Sequence, residues 1–367
     1  MIDDCPKCSH PRASHFTDKG QGEYQCWAMG DPYTNERCGC MRKFLSLEKI
    51  REVKTILTHA DCSDGMASAL FLKDALPNAE LVFLQHGTEK FHSIPATPNM
   101  LFCDIVPPPD RVDEFIEAGA IVLDHHKKAQ STVEAFGPNG VFADEEMDPG
   151  VSGGALAYRE VWKPLMDDVA DKQEKMFAER LAHLIGVRDT WQRTSTDWDE
   201  ACVLSEALRF YQADSWLSLT RPFRHYHQNL WDERLKTGQM IFNRNKNRMM
   251  KAVEKAYVFS TTLQKTKVLM FQGLALTSDA AEYLHDSDID LVVGFGYMGV
   301  DEGEATLTFS TRSHRDFDCG AFCTAHGGGG HTRAAGFTMK FNPLRDNGSN
   351  PYSTFRQLLD DYEAQNS

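Results

Sequence analysis

The residues of this sequence best suited to chemistry are Asp124, His125 and His126, which follow directly on the apolar run Ala120–Leu123. Carboxylate and imidazole donors side by side suit a divalent cation such as Mn2+ better than the thiolate sets of structural Zn2+ sites do. The plain alternative is an acidic helix cap followed by two surface histidines. Three further apolar stretches end in the same residue types. Thr55–Thr58 leads to His59, Asp61 and Asp64, Leu101–Cys103 leads to Asp104, and Leu181–Val187 leads to Asp189. Ligands of an open α/β sheet collect beyond the carboxyl ends of its strands, so four separate segments are expected to aim ligands at one rim.

Two other clusters can also do chemistry. Gly327, Gly328, Gly329 and Gly330, followed by His331, allow close backbone approach to an anion and can turn several N–H groups inward onto a phosphate. A flexible linker is the alternative, but the apolar Ala334–Phe337 follows at once. Arg312, presented from a strand, can add a bidentate contact to the same phosphate. At the other end, five of the ten cysteines fall in the first forty residues, as Cys5 and Cys8, Cys26, then Cys38 and Cys40. Paired cysteines on tight turns supply two ligands each to a tetrahedral ion, so one structural Zn2+ is expected. Its ligands would be Cys5, Cys8, Cys26 and either Cys38 or Cys40, with His10 and His15 as possible substitutes. A disulfide framework is the competing reading.

The elements that must position these groups follow from the hydrophobic pattern. Thr55–Thr58, Leu81–Leu84, Met100–Cys103 and Ala120–Leu123 are short, fully apolar runs, as expected of parallel strands covered on both faces. Helices are predicted over Met66–Ala75, Arg111–Ala118, Gly154–Met166 and Asp171–Gly186, and such alternation gives a doubly wound sheet. Pro107, Pro108 and Pro109 stiffen the loop after Asp104. The Ser152-Gly153-Gly154 start of one helix either offers N–H groups to an anion or is a cap with no other role. In the second half, strands are predicted at Val268–Phe271, Asp290–Gly296 and Ala305–Ser310, with helices near Ser278–Leu284 and Cys319–Ala325.

The order His59/Asp64, Asp104, Asp124-His125-His126, Asp189 resembles the four motifs of the DHH phosphoesterase superfamily. Phe309–Phe337, with Arg312-Ser313 and the glycine run before His331, resembles that superfamily's associated C-terminal domain with its GGGH loop. The likeness covers roughly residues 55–341. His59 and Asp64 match the first motif; Asp61 matches less closely, because HADCSDG sets it three residues before Asp64, and its other reading is a turn cap. The segment is nearer a branch reading His-x-x-Cys-Pro-Asp-Gly, with Ser63 in place of the proline.

The resemblance implies an α/β fold: a doubly wound, mostly parallel sheet joined by a helical connector to a smaller α/β lobe, with an N-terminal zinc ribbon or knuckle. The expected division is 1–45 zinc module, 50–200 catalytic domain, 201–257 connector, 258–345 substrate-binding domain and 346–367 C-terminal helix or tail. It also implies a pair of Mn2+ ions, with Mg2+ or Co2+ as substitutes, held by His59, Asp61, Asp64, Asp104, His125 and Asp189. Asp104 would bridge, Asp124 would be either a ligand or the partner that fixes an imidazole, and His126 would touch the scissile phosphate. Arg312, Ser313, Gly327–Gly330 and His331 would hold the substrate's terminal nucleotide across a cleft.

Composition narrows the function. A net charge of −14 argues against coating long nucleic acid, which is driven by phosphate neutralisation. The exception is residues 205–257, with ten Lys/Arg against five Asp/Glu and with the aromatics Phe210, Tyr211, Trp216, Phe223, Tyr226, Trp231 and Phe242 interleaved. That composition fits either a single-strand binding surface or an amphipathic helix packed between domains. No apolar run reaches the ~20 residues that span a bilayer and the N-terminus lacks a secretory pattern, so a cytoplasmic protein is expected.

The expected activity is metal-dependent hydrolysis of phosphodiesters in short single-stranded oligonucleotides or small nucleotides, in an exonuclease or oligonucleotidase manner. The alternatives are a cyclic-dinucleotide phosphodiesterase, a 3′-phosphoadenosine-5′-phosphate phosphatase, a long-substrate RecJ-like exonuclease and a nucleic-acid-binding protein without turnover. A pyrophosphatase of the superfamily is disfavoured, since its C-terminal lobe lacks the GGGH loop. Homodimerisation is left open.

Overall fold

Alternate residues of single strands bury themselves on opposite faces of one sheet. Ile56, Leu101, Cys103, Ile121 and Leu123 enter one apolar cluster, while their neighbours Leu57, Phe102 and Val122 enter another. This two-sided burial is what short, unbroken apolar runs dictate, because side chains alternate along a strand and neither face meets water. The computed structural model describes residues 15–17, 23–26, 41–43, 45–60, 62–144, 148–211, 215–216, 222–224, 227–263, 265–301, 304–342 and 350–366. The chain divides into two compact units, Met1–Phe242 and Asn243–Ser367.

In the first unit, β1 (His15–Thr17), β2 (Glu23–Cys26) and β3 (Met41–Lys43) form a small antiparallel sheet. Cys5, Cys8, Cys38 and Cys40, as well as His10, lie outside the described residues; His15 opens β1 and Cys26 closes β2. The main sheet holds β4 (Thr55–His59), β5 (Glu80–Leu84), β6 (Met100–Cys103), β7 (Ile121–Asp124) and β8 (Gly140–Phe142). Its order is β5-β4-β6-β7-β8, and every pair is parallel. The chain runs from β4 outward to β5, then returns to the far side of β4 at β6. That reversal opens a crevice at the carboxyl ends of β4 and β6, where open sheets of this kind bind ligands.

The apolar pattern predicts four strands and the structure has five. The additional β8 is only three residues long, too short to register as a periodic run, and it is held by pairing with β7. The helix expected over Gly154–Met166 is a continuous helical run from Gly153 to Met166 with a wide π turn at Ala157–Trp162. The wide turn comes immediately before the segment carrying Pro164, whose ring removes an N–H from the interior ladder. Asp189 ends the Lys172–Asp189 helix. It therefore reaches the rim from a helix terminus, whereas the other three segments reach it from strand ends.

The aromatic connector resolves toward packing at the residues described. Trp216, Phe223 and Trp231 are buried in the core of the first unit, and the Arg234 guanidinium lies 4.0 Å over the Trp216 ring. Phe210 is exposed, and Tyr226 lies outside the described residues. The Gln228–Glu254 helix continues from this segment past the boundary between the units.

The second unit is built on a mixed six-stranded sheet, β13-β14-β12-β11-β10-β9. Its strands are β9 (Tyr257–Ser260), β10 (Lys267–Gln272), β11 (Leu291–Asp301), β12 (Glu304–Ser313), β13 (Gly329–His331) and β14 (Ala334–Phe341). Only β10 and β11 pair in parallel. The C-terminal residues form the Pro351–Gln365 helix, whose Phe355 and Leu359 are fully buried in the same core as β11, β12 and β14. An apolar stripe and an Asn350 cap make this helix an integral layer of the unit. Among the described residues, no helix is long and apolar enough to cross a membrane.

Candidate metal centre

His59 is the last residue of β4, Asp104 follows β6, and Asp124 ends β7 with His125 and His126 directly after it. Asp64 sits in the first turn of the Ser63–Ala75 helix that leaves β4. The fold thus converges His59, Asp64, Asp104, His125 and Asp189, drawn from positions 59 to 189, on one rim. Asp61 lies outside the described residues.

His125 is the centre of the arrangement. Its Nε2 lies 3.3 Å from Asp189 Oδ2, 3.5 Å from Asp104 Oδ1 and 3.7 Å from Asp64 Oδ2. This nitrogen is buried and has no hydrogen-bond partner among the described residues. An orphaned buried nitrogen facing three carboxylates is costly unless something binds between them. Donor atoms that share an ion at about 2.0–2.3 Å each stand roughly 3–3.7 Å apart, which is the spacing seen here. The residues present therefore fit a divalent cation.

The carboxylates are held rigidly. Asp64 is almost wholly buried, and its Oδ2 and Oδ1 accept the Gly153 and Gly154 backbone N–H groups at 2.6 and 2.8 Å. The Ser152-Gly153-Gly154 start offers N–H groups to an anion and is not a cap with no other role. Ser152 Oγ caps the helix by accepting from Ala155 N, and the anion at the helix start is the protein's own Asp64. The Gly153 carbonyl is tied in turn to β6 by the Cys103 thiol. Asp104 takes a left-handed backbone conformation (φ 61°), which aspartate tolerates better than most residues and which points its side chain into the cluster.

Burial, followed by the Asp64 and Asp189 charges, pushes the Asp104 carboxyl well above the usual range. Burial, with the Asp64 charge next, pushes Asp189 up to about 7. Like charges are thus crowded in a desolvated place, the situation a cation relieves. His59 is lowered by burial and then by His86 and His126, which keeps its imidazole neutral and able to ligate.

Asp124 has a different task. Its Oδ1 accepts both the His126 backbone N–H at 2.7 Å and Nδ1 of the His126 ring at 2.8 Å. That bond raises the His126 pKa and orients the ring, leaving one edge of it exposed.

Sequence reasoning gave no role to two residues at this rim, Cys62, which it placed only within the His-x-x-Cys spacing, and His86. Cys62 caps the Ser63–Ala75 helix by accepting from Gly65 N at 3.1 Å, and its Sγ lies 3.4 Å from Asp104 Oδ2, grouped with His59. Burial and the adjoining Asp104 and Asp64 push this thiol far up. His86, two residues beyond β5, places its ring 5.7 Å from that of His59. The signal for both was position, since each lies just past the carboxyl end of a parallel strand.

In the second unit, the expectation that the glycine run turns several N–H groups onto a phosphate needs correction. Gly327 N donates to Thr324 O at 3.1 Å and Gly328 N to Cys323 O at 2.8 Å, so both groups close the Cys319–Ala325 helix. Gly328 also lies so close to β14 that a Cβ there would stand 2.2 Å from Gly336 O. Gly329 and Gly330 pair with β14 as part of β13, which His331 ends, and Gly329 faces open space. Arg312 lies on β12, its guanidinium held by Ser278 Oγ, Ser310 Oγ and Thr311 O. Ser313 is buried, with its hydroxyl engaged by the Arg315 backbone.

No family model matches the chain, and no curated protein matches it. Among solved structures, an uncharacterized protein from Helicobacter pylori G27 aligns at 14% identity and TM-score 0.34, over 84% of this chain and 98% of that one. A pGpG-specific phosphodiesterase, PggH, from Vibrio cholerae aligns at 14% identity and TM-score 0.42, over 83% and 99%. RecJ from Thermus thermophilus, in complex with Mn2+, aligns at 16% identity and TM-score 0.43, over 87% of this chain and 53% of that one.

Proposed function

We propose that this protein is a metal-dependent phosphodiesterase acting on short single-stranded oligonucleotides or small nucleotides. The observation that carries the proposal is the buried His125 Nε2, without a hydrogen-bond partner among the described residues, facing Asp64, Asp104 and Asp189, with Asp104 also belonging to the neighbouring donor group of His59 and Cys62. Two divalent cations of the Mn2+ type, when bound, supply an activated water and neutralise charge on the phosphate.

The chain's own residues do the rest. Asp64, Asp104, Asp189, His125 and His59 hold the ions, with the Asp64 carboxylate fixed by two backbone N–H groups so that it cannot swing away. His126, more basic than usual through Asp124, donates a proton or hydrogen bond to the phosphate from its exposed edge. The first unit thus performs the bond cleavage. In the second unit, Arg312 and the Gly329-Gly330 strand edge are the groups suited to a nucleotide's phosphate; Arg312 suits this because its guanidinium is already oriented by three hydrogen bonds.

End-labelled RNA and DNA oligomers of graded length, incubated with Mn2+, test this reading. Cleavage of the shortest substrates by the wild type, abolished in a folded Asp104→Ala or His125→Ala variant, is the expected result. Turnover that survives in either variant, or none in the wild type with oligomers, cyclic dinucleotides or 3′-phosphoadenosine-5′-phosphate, would refute it.

A further inference from the structure

We propose that Cys62 is itself a metal ligand, and that it makes the His59–Cys62–Asp104 corner a subsite for a softer cation than the Asp64–His125–Asp189 corner. This deepens the two-cation reading and rests on it. The two oxygens of Asp104 face different partners. Oδ2 lies 3.4 Å from Cys62 Sγ and 4.0 Å from His59 Nδ1, while Oδ1 lies 3.5 Å from His125 Nε2. One carboxylate thereby borders two donor groups, one with sulfur and one without. The donor atoms of His59, Cys62 and Asp104 lie within 4.8 Å of one another. The second group contains the buried, unpartnered His125 nitrogen, an independent sign that a cation belongs at this rim.

The helix start favours a thiolate at Cys62 against burial and the neighbouring Asp104 and Asp64 charges, which a bound cation would neutralise. Cys62 caps a 13-residue helix, and the Gly65 N–H already points at the sulfur from 3.1 Å. Helix N-termini stabilise sulfur anions through their free N–H groups and dipole. When a cation binds, the thiol proton leaves to solvent, the hydrogen bond to Asp104 is lost and a sulfur–metal bond forms, with no change of oxidation state. A thiolate beside imidazole and carboxylate favours Zn2+, Co2+ or Fe2+, whereas carboxylates with one imidazole suit Mn2+ or Mg2+. The geometry therefore describes a pair of unlike subsites joined by Asp104.

The test uses the full-length chain, stripped of metal and titrated with Co2+, Zn2+ and Mn2+, as wild type, Cys62→Ser and Cys62→Ala. Serine is the stronger helix cap, so that variant keeps the start of the helix, and alanine removes any oxygen ligand. In the wild type, Co2+ is expected to produce a sulfur-to-cobalt charge-transfer absorption, part of which is absent from both variants. That part persists when Cys5 and Cys8 are replaced by serine, which separates it from any N-terminal cysteine site. Cys62→Ala is expected to weaken Co2+ and Zn2+ binding by at least about tenfold, with Mn2+ binding changed much less. Unchanged absorption and affinities in both variants, with Mn2+-dependent hydrolysis intact, would overturn the role of Cys62 alone. Unchanged uptake of every cation in Asp104→Ala as well would overturn the two-cation reading with it.

Discussion

Gly153→Ala is the substitution through which the packing of the site can be read most directly. A Cβ built on Gly153 would stand 2.4 Å from Asp104 Cβ, 2.9 Å from Asp104 Cγ and 2.9 Å from Asp64 Oδ2. All three belong to site carboxylates, and neither can yield easily. Asp64 is pinned by the Gly153 and Gly154 N–H groups, and Asp104 by its left-handed backbone. Alanine keeps its own N–H, so the perturbation is steric. Overpacking of this kind costs about 1–3 kcal/mol. Carboxylates moved by a few tenths of an ångström are expected to lose about 10–100-fold in metal affinity, as when the support of a metal ligand is removed.

Gly154→Ala provides the control. Its Cβ would meet Ala67, Asp64 Oδ1 and Ile185 at 3.1–3.3 Å, and the helix-propensity gain of roughly 1 kcal/mol offsets the crowding. Mn2+ binding by calorimetry and Mn2+-dependent hydrolysis of bis-p-nitrophenyl phosphate measure both variants, with thermal melts to report folding. A Gly153→Ala protein that binds Mn2+ within about twofold of wild type, or a Gly154→Ala protein that loses as much, would show that the close approach at Gly153 does not set the carboxylates.

Other expectations follow from the same geometry. Arg312→Ala should weaken use of a short oligonucleotide by roughly tenfold to a hundredfold, the value of a charge-assisted contact of about 1.5–3 kcal/mol, and leave bis-p-nitrophenyl phosphate hydrolysis nearly unchanged. Equal loss on both substrates would contradict the division of labour between the units. Asp189, raised from 3.8 to about 7, binds its proton more tightly in the folded chain, so metal-free stability is expected to fall as pH rises through that window. Melts in chelator across the window should show the decline, with Mn2+ reversing it and Asp189→Asn flattening it; a rising profile in the wild type would count against the carboxylate crowding. Finally, elemental analysis of the full-length chain in metal-depleted buffer, with exchangeable cations removed, should find one tightly held Zn2+ that Cys5→Ser with Cys8→Ser removes, and equal zinc in both proteins would exclude the N-terminal site.

The sheet of the first unit was legible because fully apolar runs of four or five residues have few other solutions. Thr55–Thr58 and Met100–Cys103 must be covered on both faces, and the residues that follow such strands lie on one rim. His59, Asp104 and Asp124-His125-His126 were therefore readable as a group from order and spacing alone. What the local pattern does not carry is decided by distance in sequence. That the Gly153 and Gly154 N–H groups bind Asp64, some ninety residues earlier, depends on how a helix start docks against the sheet. The split of duties between Asp124, which holds His126, and Asp104, which faces both donor groups, depends on side-chain directions that only the packed structure sets. The glycine run before His331 read as an anion nest, yet the Gly327 and Gly328 N–H groups go to helix carbonyls, because closing that helix and bringing β14 against Gly328 are tertiary demands. Cys62 stands in the sequence only as part of the His-x-x-Cys spacing, with no role attached to it; the fold makes it a candidate ligand by setting its sulfur beside Asp104, forty-two residues away in the chain.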